Sequence, residues 1–383
     1  MSIKEERWDS LLAEASRPEL FRANAFRILG LPVHATERQI KKHAERVRLA
    51  EKFGGAEEMQ SSTALPLNPA PDMDAIREAT HRLRNPELRV LDEFFWFWPV
   101  DSTSQDEDEA ISALVKGDLK TATSVWYKQA EQPGTEAVAV HNIAVLYHAT
   151  ALDLEYLPDV KPLNEGLKKL QQAYWREAFT RWHMVIKDRA FWTKLEERIA
   201  EIDDPRLTAD FASRLRDALP LVLVSINARL AVRALDEGER EEAERQRALM
   251  LETRFDEEVI DEALQRAVTP IVERIRSLCQ SCEPEAEEDP QHADAVTRRL
   301  LEQAGAQLEA LAVVLPGKHP LVEATRDEVA SSALNCLIPF SQETGNWRAA
   351  NTLLEQTRPY AVTTGVRERI DGMRAFLLKS AYA

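Results

Sequence analysis

The chain has 383 residues, a formal net charge of −16 and 44% hydrophobic residues. That is enough length for two or three domains with apolar cores, and the acidic field repels a long polyanion, so no nucleic acid partner is expected. Only 12 glycines, an excess of Ala, Leu, Glu and Arg, and little β-branched alternation point to an all-α fold. No apolar run approaches the roughly 18 to 20 residues of a membrane helix, and MSIKEERWDS lacks the apolar core of a signal peptide. A cytoplasmic protein with no membrane contact is expected. Cys279, Cys282 and Cys336 are few and odd in number, as in a reducing compartment, and no disulfide is expected.

The first fifteen residues or so read as an amphipathic lead-in helix with Trp8, Leu11 and Leu12 available to pack. A helix beginning near Asn24 is ended by Gly30 and Pro32, and Thr36 with Gln39 writes the capping box of the next. In that helix, which reaches about Lys52, Ile40, Ala44, Val47 and Ala50 recur at helical spacing and face inward. Arg38, Lys41, Arg48 and Lys52 line another face, with Lys42 and Arg46 beside them, and Glu37, Glu45 and Glu51 partly neutralise them. The stretch 54–72, rich in Gly, Ser and Pro, reads as a long loop. A helix follows to about Arg84, and Asn85 as N-cap with Pro86 at the first helical position opens another. Phe94, Phe95, Trp96, Phe97 and Trp98 then stand in a row. Consecutive rings cannot share one face of a helix, so this segment has to be covered on several sides, each buried ring contributing about 1.5 to 3 kcal/mol.

The order and spacing of these signals resemble a J domain, the module with which DnaJ-type co-chaperones engage DnaK-type chaperone ATPases. Ile28, Leu29, Gly30, Leu31 and Pro32, then Ala35, Thr36, Ile40, Lys41 and Lys42, match the family's opening pattern. Leu83, Asn85, Pro86, Arg89 and Asp92 match its closing pattern. The resemblance implies two antiparallel helices bridged by an extended loop, and a basic helix face that meets an acidic groove of the partner. It therefore implies a docking surface made of Arg38, Lys41, Lys42, Arg46, Arg48 and Lys52. The family's His-Pro-Asp tripeptide, needed to trigger ATP hydrolysis, is replaced here by Lys52, Phe53 and Gly54, and the nearby Pro71-Asp72 pair is preceded by Ala70. Docking without triggering is the expected behaviour.

After the acidic linker DSTSQDEDE, Gly117 and Asp118 mark a helical hairpin turn, followed by Ala122 and Trp126 and by Pro133. This resembles a tetratricopeptide repeat, whose 34-residue period then falls on Val140, Ile143, Ala144 and Tyr147. The register is lost beyond Ala151, although helices continue through LKKLQQAYWREAFTRWHMVI and RAFWTKLEERIAEI to a break at Asp203, Asp204 and Pro205. Pro220 is expected to start or kink the most apolar helix, and Gly238 with Ala243 makes another repeat-like turn. Gly345, Asn346, Trp347, Ala350 and Leu354 repeat the hairpin pattern, and a helix over Val366–Leu378 caps the array. These elements predict a J-like domain over 1–100 and an irregular α-solenoid over 101–383, divided near 155–165. Its concave face would hold a protein or peptide client.

No Walker-type, dinucleotide-binding or HExxH motif occurs, and the histidines are scattered singly, so neither an enzyme nor a cofactor is expected. Cys279 and Cys282 form a C-x-x-C expected at a helix end, and the acidic run EPEAEEDP after it reads as a solvated loop. A zinc site would need two further ligands, and His292, His319 and Cys336 lack paired spacing. The leading expectation is a non-enzymatic adaptor that docks a DnaK-type chaperone and carries a client. The alternatives are a scaffold subunit without chaperone contact and a thiol- or zinc-dependent regulator using Cys279 and Cys282.

Overall fold

The structure is a computed structural model that describes residues 3–53, 63–100, 108–157 and 163–381. Seventeen α-helices and no strand occur among the described residues, so the fold is all-α as expected. The chain forms two compact units, Met1–Ile226 with Leu249–Phe255, and Asn227–Ala248 with Asp256–Ala383. Residues on both sides of position 100 lie in the first unit. The expected division near 155–165 falls partly on 158–162, outside the described residues.

Local chemistry explains the helix ends of the first unit. Helix α1 (Ile3–Ala15) carries Trp8, whose ring meets Phe211 edge-on at 5.4 Å and lies under Arg214. Helix α2 (Ala25–Leu29) starts where the Asn24 side chain accepts from the Phe26 and Arg27 amides, and closes at Gly30 in the left-handed conformation. Helix α3 (Glu37–Phe53) opens with the reciprocal capping box: the Thr36 amide donates to Gln39 Oε1 at 2.7 Å, and the Gln39 amide to Thr36 Oγ1 at 3.3 Å. Helix α4 (Met73–Arg82) is capped by Asp72, and α5 (Pro86–Phe94) by Asn85 with Pro86 in the first turn. Ile40 and Val47 of α3 are buried and the helix packs on α4, whereas Ala44 is half-buried and the side chain of Ala50 lies outside the described residues.

All five consecutive aromatics are buried, and they form part of the core of the first unit. Phe94 stacks between Trp182 and Trp192 at 5.6 and 5.5 Å, and Phe97 stacks on Trp126 at 5.3 Å. The partners come from α7 (Leu119–Gln129), α9 (Glu165–Lys187) and α10 (Arg189–Ile202). The Phe95 amide still reaches the Leu91 carbonyl at 3.1 Å, but farther on the chain is no longer helical and its buried amides and carbonyls lose their helical partners. Side chains replace them. Asn142 on α8 (Glu136–Asp153) accepts from the Trp98 amide at 2.9 Å and donates to the Trp98 carbonyl at 2.7 Å. His141 Nε2–H donates to the Phe94 carbonyl at 2.6 Å, and Asp108 accepts from the Val100 amide at 3.0 Å.

Three hairpin turns share one geometry. Gly117, Gly238 and Gly345 have φ of +77°, +82° and +62°, a backbone conformation that costs glycine little. Five residues after each stands a fully buried alanine: Ala122, Ala243 and Ala350. The small side chain lets paired helices approach closely. The first turn joins α6 (Glu109–Val115) to α7. The second joins α11 (Phe211–Asp236) to α12 (Arg240–Glu252), and the third joins α15 (Pro320–Thr344) to α16 (Trp347–Thr357). The last helix, α17, covers Thr364–Ala381.

Several local expectations are corrected. Pro220, expected to start or kink the most apolar helix, sits inside α11. Cys279 and Cys282 lie in the interior of α13 (Glu257–Glu288), which runs through most of the EPEAEEDP stretch, and the fully buried Ala286 anchors those last turns. Helix α14 (Ala293–Val314) then packs on α13 and α15. The apolar runs are also longer than read from the sequence. The stretch Glu136–Tyr156 and helix α11 are long and apolar enough to cross a membrane by length and composition, and 78% and 61% of their apolar windows are buried inside the fold. A core helix meets the same test.

Replacing Asn142 with Leu leaves the Trp98 amide and carbonyl without partners in the core, and should lower stability by roughly 2 to 5 kcal/mol in urea unfolding. A loss below about 0.5 kcal/mol would show that the segment does not depend on this side chain. Burial also pulls the imidazole of His141 down to about 4 and that of His148 down to about 3. Both rings are neutral in the fold, whereas in the unfolded chain they bind a proton near pH 6.5. Their contribution to stability is complete above that pH and is lost as pH falls, by about 1.4 kcal/mol per pH unit for each histidine. Urea midpoints between about pH 7.5 and 5.5 should therefore fall with acidification, and His148→Phe should make the fall shallower.

Candidate partner-binding surface

The six sequence-predicted cations all lie on α3. Arg38, Lys41, Lys42 and Arg46 are exposed along it, and the side chains of Arg48 and Lys52 lie outside the described residues. Lys41 Nζ lies 3.6 Å from Glu37, a weak neighbour interaction with both side chains solvent-exposed. His43 on the same helix is held below its ordinary value by burial and by the adjacent Arg46. Leu49, 55% exposed, adds an apolar residue to the same helix.

Lys52, Phe53 and Gly54, expected from sequence to stand where a trigger tripeptide would, lie outside the described side chains. The Pro71-Asp72 pair is engaged otherwise. Asp72 Oδ1 accepts from the Ala75 amide at 2.8 Å, which makes it the cap of α4.

Behind the surface lies a buried charged frame. Asp92 is buried and receives two bonds from Arg82, Nε to Oδ2 at 2.7 Å and Nη2 to Oδ1 at 3.0 Å, and a third from the Ala25 amide at 3.3 Å. Burial pushes its carboxyl above the ordinary range, and Arg82 opposes that shift. Asn24 Nδ2 donates to the Asp92 carbonyl at 2.8 Å, so one residue caps α2 and ties it to α5. Glu93 is fully buried between two guanidinium groups: Arg89 Nε at 2.8 Å, and Arg198 Nε and Nη2 at 2.8 and 3.1 Å. Arg89 also donates to the Ala35 carbonyl at 2.8 Å and so holds the turn that leads into α3. Arg27 makes a two-pronged pair with Asp153 at 2.9 and 2.6 Å.

Arg89 and Asp92, read from sequence as motif residues, are thus buried supports. Their partners Arg82 and Glu93, the second guanidinium on Glu93, Arg198, and the separate pair Arg27–Asp153 were not singled out from sequence. Arg198 lies 105 positions from Glu93 and Asp153 lies 126 from Arg27, and such separations leave no local signal.

The cysteines are all buried and free. Cys336 donates to Cys282 at 3.4 Å, so the structure brings the third cysteine to the C-x-x-C motif. The two histidines weighed as further ligands are engaged elsewhere: His319 caps α15 and pairs with Asp261 at 3.0 Å, and His292 pairs with Asp289 at 2.8 Å. Among the described residues no group of three or more His, Cys, Asp or Glu side chains could hold a metal ion.

Surface and frame should respond differently to substitution. Arg82→Met strands the Asp92 carboxylate in the core and should cost roughly 3 to 5 kcal/mol in urea unfolding. Lys41→Glu and Arg46→Glu should each stay within about 0.5 kcal/mol of the parent. Equal losses in all three would mean that the cations on α3 are structural. Comparison with protein-family models, curated proteins and solved structures found no match.

Proposed function

We propose that the protein is a non-enzymatic cytoplasmic adaptor. Residues 1–100 act as a J-like domain that docks a DnaK-type chaperone without triggering its ATPase, and the helical hairpins that follow hold a protein or peptide client. Neither a membrane nor a nucleic acid takes part. The observation that carries this reading is the exposed cationic row Arg38, Lys41, Lys42 and Arg46, on a helix whose entry turn is held by a buried arginine. An acidic groove on the partner would meet that row, and desolvating the pairs at contact would strengthen them. Lys52, Phe53 and Gly54 supply no His-Pro-Asp trigger, and Asp72 is occupied as a helix cap.

The client-binding half of the proposal is supported by the repeated turn at Gly117, Gly238 and Gly345, each with its buried alanine five residues on. Paired helices of this kind stack and leave one face free for a ligand. A second reading, a scaffold subunit with no chaperone contact, is favoured by the burial of Arg89 and Asp92. In that reading the J-like unit is a packing module.

Immobilised full-length protein should retain a DnaK-type chaperone, and the combined Lys41→Glu and Arg46→Glu change should weaken retention about tenfold or more, equivalent to about 1.4 kcal/mol. Raising ionic strength should weaken it too, because the contact is between exposed charges. ATP turnover by the chaperone should not change when the protein is added. No retention would leave the scaffold reading, and accelerated turnover would refute docking without triggering.

A further inference from the structure

The thiols of Cys282 on α13 and Cys336 on α15 meet inside the second unit, Sγ to Sγ at 3.4 Å. Both side chains are buried. Their approach is set by the surrounding packing: one residue along α13 and one turn along α15, Ser332 Oγ donates to Glu283 Oε1 at 2.7 Å and holds the same two helices in register. Cys279, one turn earlier on α13, uses its carbonyl instead, which accepts from the Cys282 thiol at 3.1 Å. The hydrogen bonds therefore run from Cys336 through Cys282 to the Cys279 backbone. This order polarises the pair. Donation from Cys336 lowers the Cys282 thiol below its ordinary value, and the same contact raises Cys336.

Forming a bond requires the sulfurs to close to about 2.05 Å, so one of the helices has to give locally. Both helices are weakened where the cysteines sit. Pro284 and Pro339 lie inside α13 and α15, and each removes the helical amide that would bond the carbonyl four residues earlier, at Gln280 and Asn335. The missing bonds lie within two residues of Cys282 and one of Cys336.

We propose that Cys282 and Cys336 form an oxidisable pair, converted by hydrogen peroxide into a disulfide that joins α13 to α15 while Cys279 stays reduced. The Cys282 sulfur attacks one oxygen of the peroxide, the O–O bond breaks, and the proton of the thiol leaves with the departing oxygen as water. The Cys336 sulfur then attacks the resulting sulfenic sulfur, the S–O bond breaks, and a second water leaves with the Cys336 proton. One peroxide is reduced and two thiols are oxidised, so no further reductant or oxidant is required.

The test is to treat the native full-length protein with hydrogen peroxide, alkylate the remaining thiols under denaturing conditions, and map the peptides by mass spectrometry. The expected result is the loss of two of the three thiols, one cross-linked peptide pair containing Cys282 and Cys336, and recovery of both thiols with dithiothreitol. Cys279→Ala should leave the cross-link intact, and Cys282→Ala or Cys336→Ala should abolish it, with helical circular dichroism confirming that each variant folds. The parent protein suffices if a variant does not fold. Three free thiols after treatment, a Cys279–Cys282 disulfide, or a cross-link that forms only in denaturant would each overturn the proposal.

Discussion

A stretch of non-helical backbone has to be buried in an all-helical protein, and the first unit is arranged around that constraint. From Phe95 to Val100 the chain leaves α5 and crosses the core with four rings inside, next to the ring of Phe94 at the helix end. Rings drive the burial, but amides and carbonyls oppose it unless each finds a partner. Asn24, Asp108, His141 and Asn142 supply those partners from before and after the segment in sequence. The protein thereby adds four polar side chains to those already in its core. His141 and His148 must then remain neutral, and that ties the stability of the unit to pH.

The same logic explains the buried ion pairs. Asp92 and Glu93 are adjacent carboxylates at the end of α5, and both are out of water. Asp92 turns to Arg82 on α4, whereas Glu93 turns to Arg89 on its own helix and to Arg198 on α10. Isolated burial of either charge would be prohibitive, so each requires the partner helix to be in place. These pairs are weak contributors to net stability but strict about geometry. They admit one arrangement of α2, α4, α5 and α10, and the turn into α3 is held by Arg89 as part of that arrangement.

Above this frame α3 presents cations to solvent. The contrast between the two sets of arginines is physical rather than compositional. Arg89 and Arg198 both donate to Glu93 inside the protein, whereas Arg38 and Arg46 are exposed, and Lys41 lies 3.6 Å from an exposed glutamate. Exposed charges in water contribute little to folding, so a row of one sign in an acidic protein is available for recognition of an oppositely charged surface. The cysteine pair in the second unit is separate from this and uses a different chemistry, the proximity of two soft nucleophiles on neighbouring helices.

Much of the helical order was legible in the residues. Capping residues Thr36 and Asn85, turn residues at Gly117, Asp118, Gly238 and Gly345, and the inward positions Ile40 and Val47 all act within a few residues of themselves. Their effects follow from local backbone sterics and short hydrogen bonds, and a linear reading captures them. The misreadings lie where local signals were overruled. Pro284 is a helix breaker by local chemistry, yet it sits inside a long helix, because packing along the helix outweighs one missing hydrogen bond. The pairing of Arg198 with Glu93, the service of Asn142 to Trp98 and the meeting of Cys282 with Cys336 join positions 44 to 105 residues apart. Residues that distant become neighbours only when burial of apolar surface has folded the chain, and no spacing rule along the chain encodes which of them will touch.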